Sequence, residues 1–328
     1  MASPPTTMPP HISSPYEPYP SPAHLEQATT SHRQGNFTIS TRKLPISKAG
    51  PIEQLEKDLG IPIPEMIFGD NLVAITHDRG GQQWRIEFNA RDALDLVDKT
   101  DRNMLQVAYA RSWSASREQT SAGIKEVVKP YDWSYTTAYR GTVTTSGSGS
   151  DTNGRTAAAA AAAESNTDGQ QTVPASTVDT SSSSSQVPSF SEKDAPPIPI
   201  ELLKRRDPIL FFDDVVLYES ELDDNGISMY SVKLRVHAQR MLLLARLFMR
   251  LDNVLVRVRD TRVYVDFGEE VVVREYTERE AEFGDVKRAL LMTGLRPDDL
   301  TVALRDANQI AELIPKTHEV REAVCLRA

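Results

Sequence analysis

The side chains able to do chemistry gather in a few short stretches. Asp92 lies in FNARDAL, and Arg257, Arg259, Asp260 and Arg262 crowd VRVRDTRVY. Arg274, Glu275 and Glu280 follow in VREYTERE. Carboxylates with a histidine could run acid–base hydrolysis, so Asp92, Asp260 and His237 are the set from which a hydrolase would be assembled. Arginines on an apolar strand could instead hold a protein partner. The planar guanidinium pairs bidentately with carboxylates, including the terminal carboxylate of a polypeptide. A third reading is a salt-bridged sheet face, since exposed faces often alternate charge.

The familiar catalytic and metal patterns fail on inspection. Asp266-Phe267-Gly268 copies the metal-binding triplet of kinases, but no glycine-rich phosphate loop or HRD segment accompanies it, so a turn is expected. The acidic run at 221–226 echoes a calcium loop, yet Val232 stands where the bidentate glutamate belongs. Six histidines are scattered without metal spacing, and no GxSxG or Walker loop occurs. The lone cysteine, Cys325, lies near the C-terminus and suits no disulfide framework. Asn36-Phe37-Thr38 matches a glycosylation acceptor, which carries no weight without a secretory signal. Catalysis therefore gains no positive support, and no cofactor or metal is expected.

Composition narrows the class further. A net charge of −9 and a pI near 5.3 argue against nucleic acid or anionic membrane as the main partner. The N-terminus lacks an apolar core, and even MLLLARLFM carries Arg246, so neither a signal peptide nor a membrane span is expected. Residues 1–34 are rich in Pro, Ser and Thr and are expected to be a disordered tail, with Ser14-Pro15 and Ser21-Pro22 as possible modification dipeptides. A second low-complexity stretch, about 144–195, reads as a disordered insertion in a surface loop. Residues 35–328, interrupted by that insertion, read as one domain, and the roughly 240 residues outside the insertion are about the limit for a single core.

The elements that must position the charges are mostly strands. Asn36–Ile46, Asn71–Thr76 and Trp84–Phe88 read as strands, the last two about Gly80-Gly81. A helix is expected over Ile52–Leu59 with Gly60 as its stop, and another over Ala90–Val97 with Asn89 as N-cap. Met104–Trp113 reads as a strand, and the aromatics of 125–141 as core. Pairs of strands are expected at 209–237, around Asp223–Gly226, and at 241–265, around a two-residue Asp252-Asn253 loop. Gln239–Met249 could be a helix by length, but its place before that loop favours a strand. Val271–Tyr276 reads as a strand, and Thr277 with Glu280 as a capping box opening a helix. Short helices are expected at Glu201–Arg206, Asp285–Met292, Pro297–Arg305 and Ala307–Ile314. Consecutive strands with short turns indicate an antiparallel sheet.

PEMIFGDN (64–71), IEFNARDAL (86–94), KEVVKPYDWSYTTAYRGT (125–142), FFDDVVLYESELDDNGIS (211–228), LFMRLDNVLVRVRDTRVY (247–264) and VREYTERE (273–280) carry more than composition. With SVKLRV (231–236) and REAVC (321–325), they resemble the TOR signalling pathway regulator-like (TIPRL) family, whose fungal members are the Tap-interacting type. The resemblance spans about 36–142 and 196–325; the insertion 144–195 and a longer 284–305 depart from it. It implies an α+β fold: an antiparallel β-sandwich-like core, flanking short helices and a partner-binding cleft. It also implies a non-enzymatic regulator that binds catalytic subunits of type 2A, 4 and 6 serine/threonine phosphatases, including their C-terminal tail. The alpha4/Tap-type adaptor would be a further partner, in TOR signalling in the cytoplasm and the nucleus. By motif, Asp92, Ile198, Val258 and Asp260 match the family's contacting positions, and Arg257 and Arg262 flank the last two. Ile198 and Val258 would then give apolar contact, and Asp92 and Asp260 would fix orientation. A hydrolase using Asp92, Asp260 and His237, or a scaffold binding through its low-complexity segments, stays as the alternative.

Overall fold

Twelve antiparallel strands form two sheets in the computed structural model, which describes residues 20–99, 131–146 and 188–327. The larger is a seven-stranded meander in the order β12-β11-β10-β9-β8-β7-β3. Its strands are β3 (Met66–Ile67), β7 (Phe211–Ser220), β8 (Gly226–Val236), β9 (Arg240–Leu251), β10 (Leu255–Asp266), β11 (Val271–Glu282) and β12 (Lys316–Cys325). The smaller sheet runs β1 (Thr29–Gln34), β2 (Phe37–Arg42), β4 (Leu72–Arg79), β5 (Gln82–Asn89) and β6 (Thr142–Ser146). With a few short helices this is an α+β fold and no closed barrel.

Alternation along the strands decides which face is core. In β9, Leu243, Ala245, Leu247, Met249 and Leu251 point inward; in β10, Val263 and Val265 do the same. They meet Phe37, Ile39, Val73, Ile75, Trp84, Ile86 and Phe88 of the smaller sheet in one shared core. Between the sheets runs 131–141, whose Tyr131, Trp133, Tyr135 and Tyr139 are buried as the aromatic density predicts. Side chains from four strands bond its carbonyls. Tyr218 Oη donates to Tyr135 O (3.0 Å), Tyr230 Oη and Thr261 Oγ1 to Tyr139 O (3.2 Å each), and Arg274 Nη1 to Arg140 O (3.1 Å).

Helices cover the smaller sheet's end and the larger sheet's outer face. α2 (Ala49–Leu59) stops at Gly60, whose φ of 69° is the left-handed cap that only glycine adopts freely. α3 (Ala90–Asp95) begins at Asn89, whose side chain accepts from Asp92 N. On the outer face lie α4 (Ile200–Leu203), α5 (Phe283–Met292), a 3₁₀ turn (Pro297–Asp299), α6 (Leu300–Ala303) and α7 (Ala307–Leu313). No helix among the described residues is long and apolar enough to cross a membrane.

Several expectations need correction. Order begins before residue 35: α1 (Pro22–Gln27), capped by buried Ser21, leads into β1, whose polar TTSHRQ gave no apolar period. The stretch 144–195 is structured at both ends, through β6 and through Ser191, which bridges to Ala323. Thr277 opens no helix; β11 runs straight through it because β10 pairs with it as far as Glu282. The β9–β10 connection has three residues, since Leu251 pairs with Leu255, and of them only Asn253 takes a positive φ (62°). After Pro315 the chain forms β12 and not a frayed end. All but Gln239 of Gln239–Met249 is indeed strand, within β9, and Phe267 and Gly268 lie in the turn that follows Asp266 at the end of β10. The strand expected at Met104–Trp113 lies outside the described residues.

Candidate functional site

The outer face of the larger sheet is striped. Strand register aligns Met229, Phe248 and Val258 in one row, and Phe248 and Val258 pack beneath α5–α7 with Val256, Val286, Leu290 and Ile310. Six residues further along β10, Tyr264 lies level with Leu242, Val273 and Ala323, covered by Ile198 and Leu203. Between these apolar rows lie two polar ones. The first is Ser231, Arg246, Asp260, Thr277 and Glu319; the second is Lys233, Leu244, Arg262, Glu275 and Arg321. The two covered rows are therefore about 20 Å apart, and the polar channel between them crosses five strands; its open floor is the second row, because Ser231, Arg246, Asp260 and Thr277 of the first are buried.

Arginines hold both walls. Arg246 gives two hydrogen bonds to Asp260 (2.6 and 2.7 Å) and a third to Asn308 of α7 (2.9 Å). Arg250 donates to Leu304 O (2.8 Å) and Arg279 to Ile314 O (2.6 Å), satisfying carbonyls at helix ends where cations are favoured. On the other side Arg240 donates to Leu202 O (2.7 Å) and Asp207 (2.5 Å). Along the floor, Arg262 pairs with Glu275 (3.2 Å), which also takes Arg321 (3.1 Å); Lys233 meets Asp214 (3.1 Å). The side chains of Arg262 and Arg321 stay about one-third exposed, at 31% and 33%. Thr277, buried in the first row, has a hydroxyl with no hydrogen-bond partner among the described residues.

Four of the six residues singled out by sequence share this face. Ile198 lines one wall, Val258 underlies the other, Asp260 is floor and Arg262 is exposed floor. Ile198, Val258 and Asp260 are almost wholly covered, so they shape the channel and do not project into it. Arg257 points to the opposite face, where it pairs with Glu280 and approaches Asp132 (3.8 Å) and Thr136 (3.5 Å). Burial there pushes the Asp132 carboxyl up, against the pull of Ser134 hydrogen bonds and of Arg257. Asp92 sits in the first turn of α3, where its carboxylate accepts from Asn89 (3.0 Å) and Thr142 (2.5 Å). Thr142 in turn bonds Tyr139 (2.9 Å), which ties Asp92 to the 131–141 segment.

The hydrolase set is not assembled. Asp260 is paired with Arg246, Asp92 belongs to α3, and His237 Nδ1 lies 3.0 Å from Pro208 O beyond the far end of β8. No cluster of histidine, cysteine or acidic residues among the described ones could hold a metal. Arg246, Lys233, Glu319 and Arg321 were missed by sequence reasoning. The charge of Arg246 inside MLLLARLFM was the available signal, since a charge interrupting a buried strand needs a partner on its own face.

Comparison with known proteins bears on the whole arrangement. A sequence model described as the TIP41-like family matches residues 66–287. The Saccharomyces cerevisiae protein named type 2A phosphatase activator TIP41 is 35% identical over 295 residues, 85% of this chain and 70% of that one. The human TIP41-like protein is 35% identical over 300 residues, covering 90% of this chain and 89% of its own length. The Schizosaccharomyces pombe protein named type 2A phosphatase activator tip41 is 29% identical over 278 residues, covering 84% and 90%.

Proposed function

We propose, because this chain belongs to the TIP41-like family, that it regulates a type 2A-like serine/threonine phosphatase by binding its catalytic subunit, without a reaction of its own. The observation that carries this reading is the polar channel between two clamped apolar walls. Its floor crosses five strands, roughly 19 Å, the length of about six extended residues. That size suits the C-terminal tail of the phosphatase, laid across the strands along the second polar row. Arg262 and Arg321 would meet its acidic groups, while the wall built on Ile198 and the helix-covered wall over Val258 would flank it. Asp260 acts through Arg246, and Asp92 and Arg257 act by fixing 131–141 behind the sheet. The reading extends to type 4 and type 6 phosphatases, the alpha4/Tap-type adaptor and TOR signalling in the cytoplasm and nucleus.

The test is an affinity measurement with purified type 2A catalytic subunit, intact and lacking its tail. Because Asp260 is buried, reversing its charge would test folding before binding; Arg262→Glu is the better variant. Tail removal and Arg262→Glu are each expected to weaken binding about tenfold or more, the cost of one or two charge-assisted contacts. Full affinity in both, with Arg262→Glu melting like wild type, would sink the proposed site.

A further inference from the structure

Residues 188–203 pass from the inside of the sandwich to its outside around the edge of β12. Phe190 inserts between the sheets, edge-on to Trp84 (5.9 Å) and under the Arg274 guanidinium (4.0 Å). Ser191 then pairs with Ala323, exchanging both backbone hydrogen bonds (2.9 and 2.8 Å). Ile198 next arrives on the outer face. Successive side chains point to opposite faces, so an inward Phe190 puts Ser191 outward. Directly opposed residues share a face, and Ala323 packs with Ile198, Tyr264 and Val273 on the outer one. Arg321, two residues along β12, is therefore the diagonal neighbour of Ser191 on that face. The Ser191 side chain is exposed and accepts from Lys193 N (3.2 Å). Glu192 and Asp194, both exposed, follow it at the first and third positions.

We propose that Ser191 is phosphorylated by an acid-directed serine kinase, and that the phosphate draws Arg321 from Glu275 and so recharges the channel. The last step rests on the function proposed above. Ser191 Oγ attacks the γ-phosphorus of a nucleoside triphosphate. The Oγ–P bond forms, the bond from phosphorus to the β–γ bridging oxygen breaks, the hydroxyl proton passes to the kinase's base, and a nucleoside diphosphate leaves. The product carries about 1.5 to 2 negative charges at neutral pH. Arg321 holds Glu275 (3.1 Å) and Glu319 (3.4 Å) from a part-exposed position, where such pairs are weak and exchange readily. Phosphate accepts stronger, charge-assisted bonds from a guanidinium. Glu275, buried and left with Arg262 alone (3.2 Å), then keeps that arginine from an acidic occupant. Both arginines of the second row are thereby spent within the molecule, as Lys233 already is on Asp214.

The experiment treats the full-length protein with an acid-directed serine kinase and magnesium ATP, beside Ser191→Ala, Glu192→Gln/Asp194→Asn and Arg321→Gln. Peptide mapping is expected to find phosphate on Ser191, with labelling slowed about tenfold in the acidic double variant. Phosphorus NMR is expected to show its second ionisation below the ordinary value of about 6 in wild type and restored in Arg321→Gln. Binding to type 2A catalytic subunit should be about tenfold weaker for the treated wild type than for treated Ser191→Ala. Unlabelled Ser191, or a phosphate that titrates identically with and without Arg321, overturns the proposal, as do equal affinities of the two treated proteins where the untreated protein binds. If the untreated protein fails to bind, the function above has failed. Mapping and titration then still decide the phosphorylation and its arginine contact.

Discussion

Asp260 and Arg246 face each other in a place water scarcely reaches, and the pair carries a wall of the channel on its third hydrogen bond. Removing one partner strands the other charge, so Asp260→Leu and Arg246→Leu should each cost about 3–5 kcal/mol, while the double substitution costs less than either. Urea denaturation of the three variants checks this; additive losses would mean that the residues act independently. Sequence reading singled out Asp260 from its place in RVRDTR but supplied no partner, because register between strands decides who faces whom. The same blindness hid that Arg257 and Arg262, five residues apart, point to opposite faces.

At the scale of elements, the turns were the most legible part. Asp223–Gly226 closes β7 on β8 as expected, and Gly226 is required by close approach: a Cβ there would lie 1.9 Å from Arg250 O. Gly226→Ala should therefore destabilise by roughly 2–4 kcal/mol in a thermal or chemical melt. Less legible were edges, where a strand buries one face only or pairs once. β1 is polar and β12 begins Lys-Thr-His-Glu, so neither shows the apolar period that marks a central strand. The ends of the low-complexity stretch were misjudged for the same reason. Replacing 147–187 by a short flexible linker should leave the melting temperature within a degree or two of wild type, since loop closure depends weakly on length. Removing 144–195 instead takes away part of β6, Phe190 and the Ser191 bridge, and should lower it by several degrees.

For the molecule as a whole, the sheets are joined at one end by the β10–β11 turn. Glu270 there accepts from Asn36 (2.7 Å) and Arg79 (2.9 Å), and His77 is buried beside it, against Phe37. The His77–Glu270 approach of 3.4 Å is too poorly aligned to count as a hydrogen bond, and burial outweighs the attraction. His77 is thus held below the ordinary 6.5, mainly by desolvation and against the pull of Glu270. A depressed histidine favours the neutral form in the fold, so its stability contribution is full above pH 6.5 and fades as pH falls below it. Between about pH 7.5 and 5.5 the melting temperature should therefore drop further for wild type than for His77→Gln. Parallel pH curves for the two would place the sensitive group elsewhere. The run of strands with short turns foretold an antiparallel α+β fold, and the motifs the family. How the two sheets meet depended on contacts between residues some two hundred apart, beyond the reach of local pattern.

The segment threaded between the sheets also sets an order of events. The β8–β11 meander closes through neighbours in sequence, whereas 131–141 must find Tyr218, Tyr230, Thr261 and Arg274 across large gaps of sequence. Local pairing is fast and long-range docking slow, so the meander should assemble first and wait with its aromatic face open. In stopped-flow refolding, β-sheet circular dichroism is expected to rise before Trp133 fluorescence reaches its native value, and Tyr218→Phe should slow the second phase more than the first.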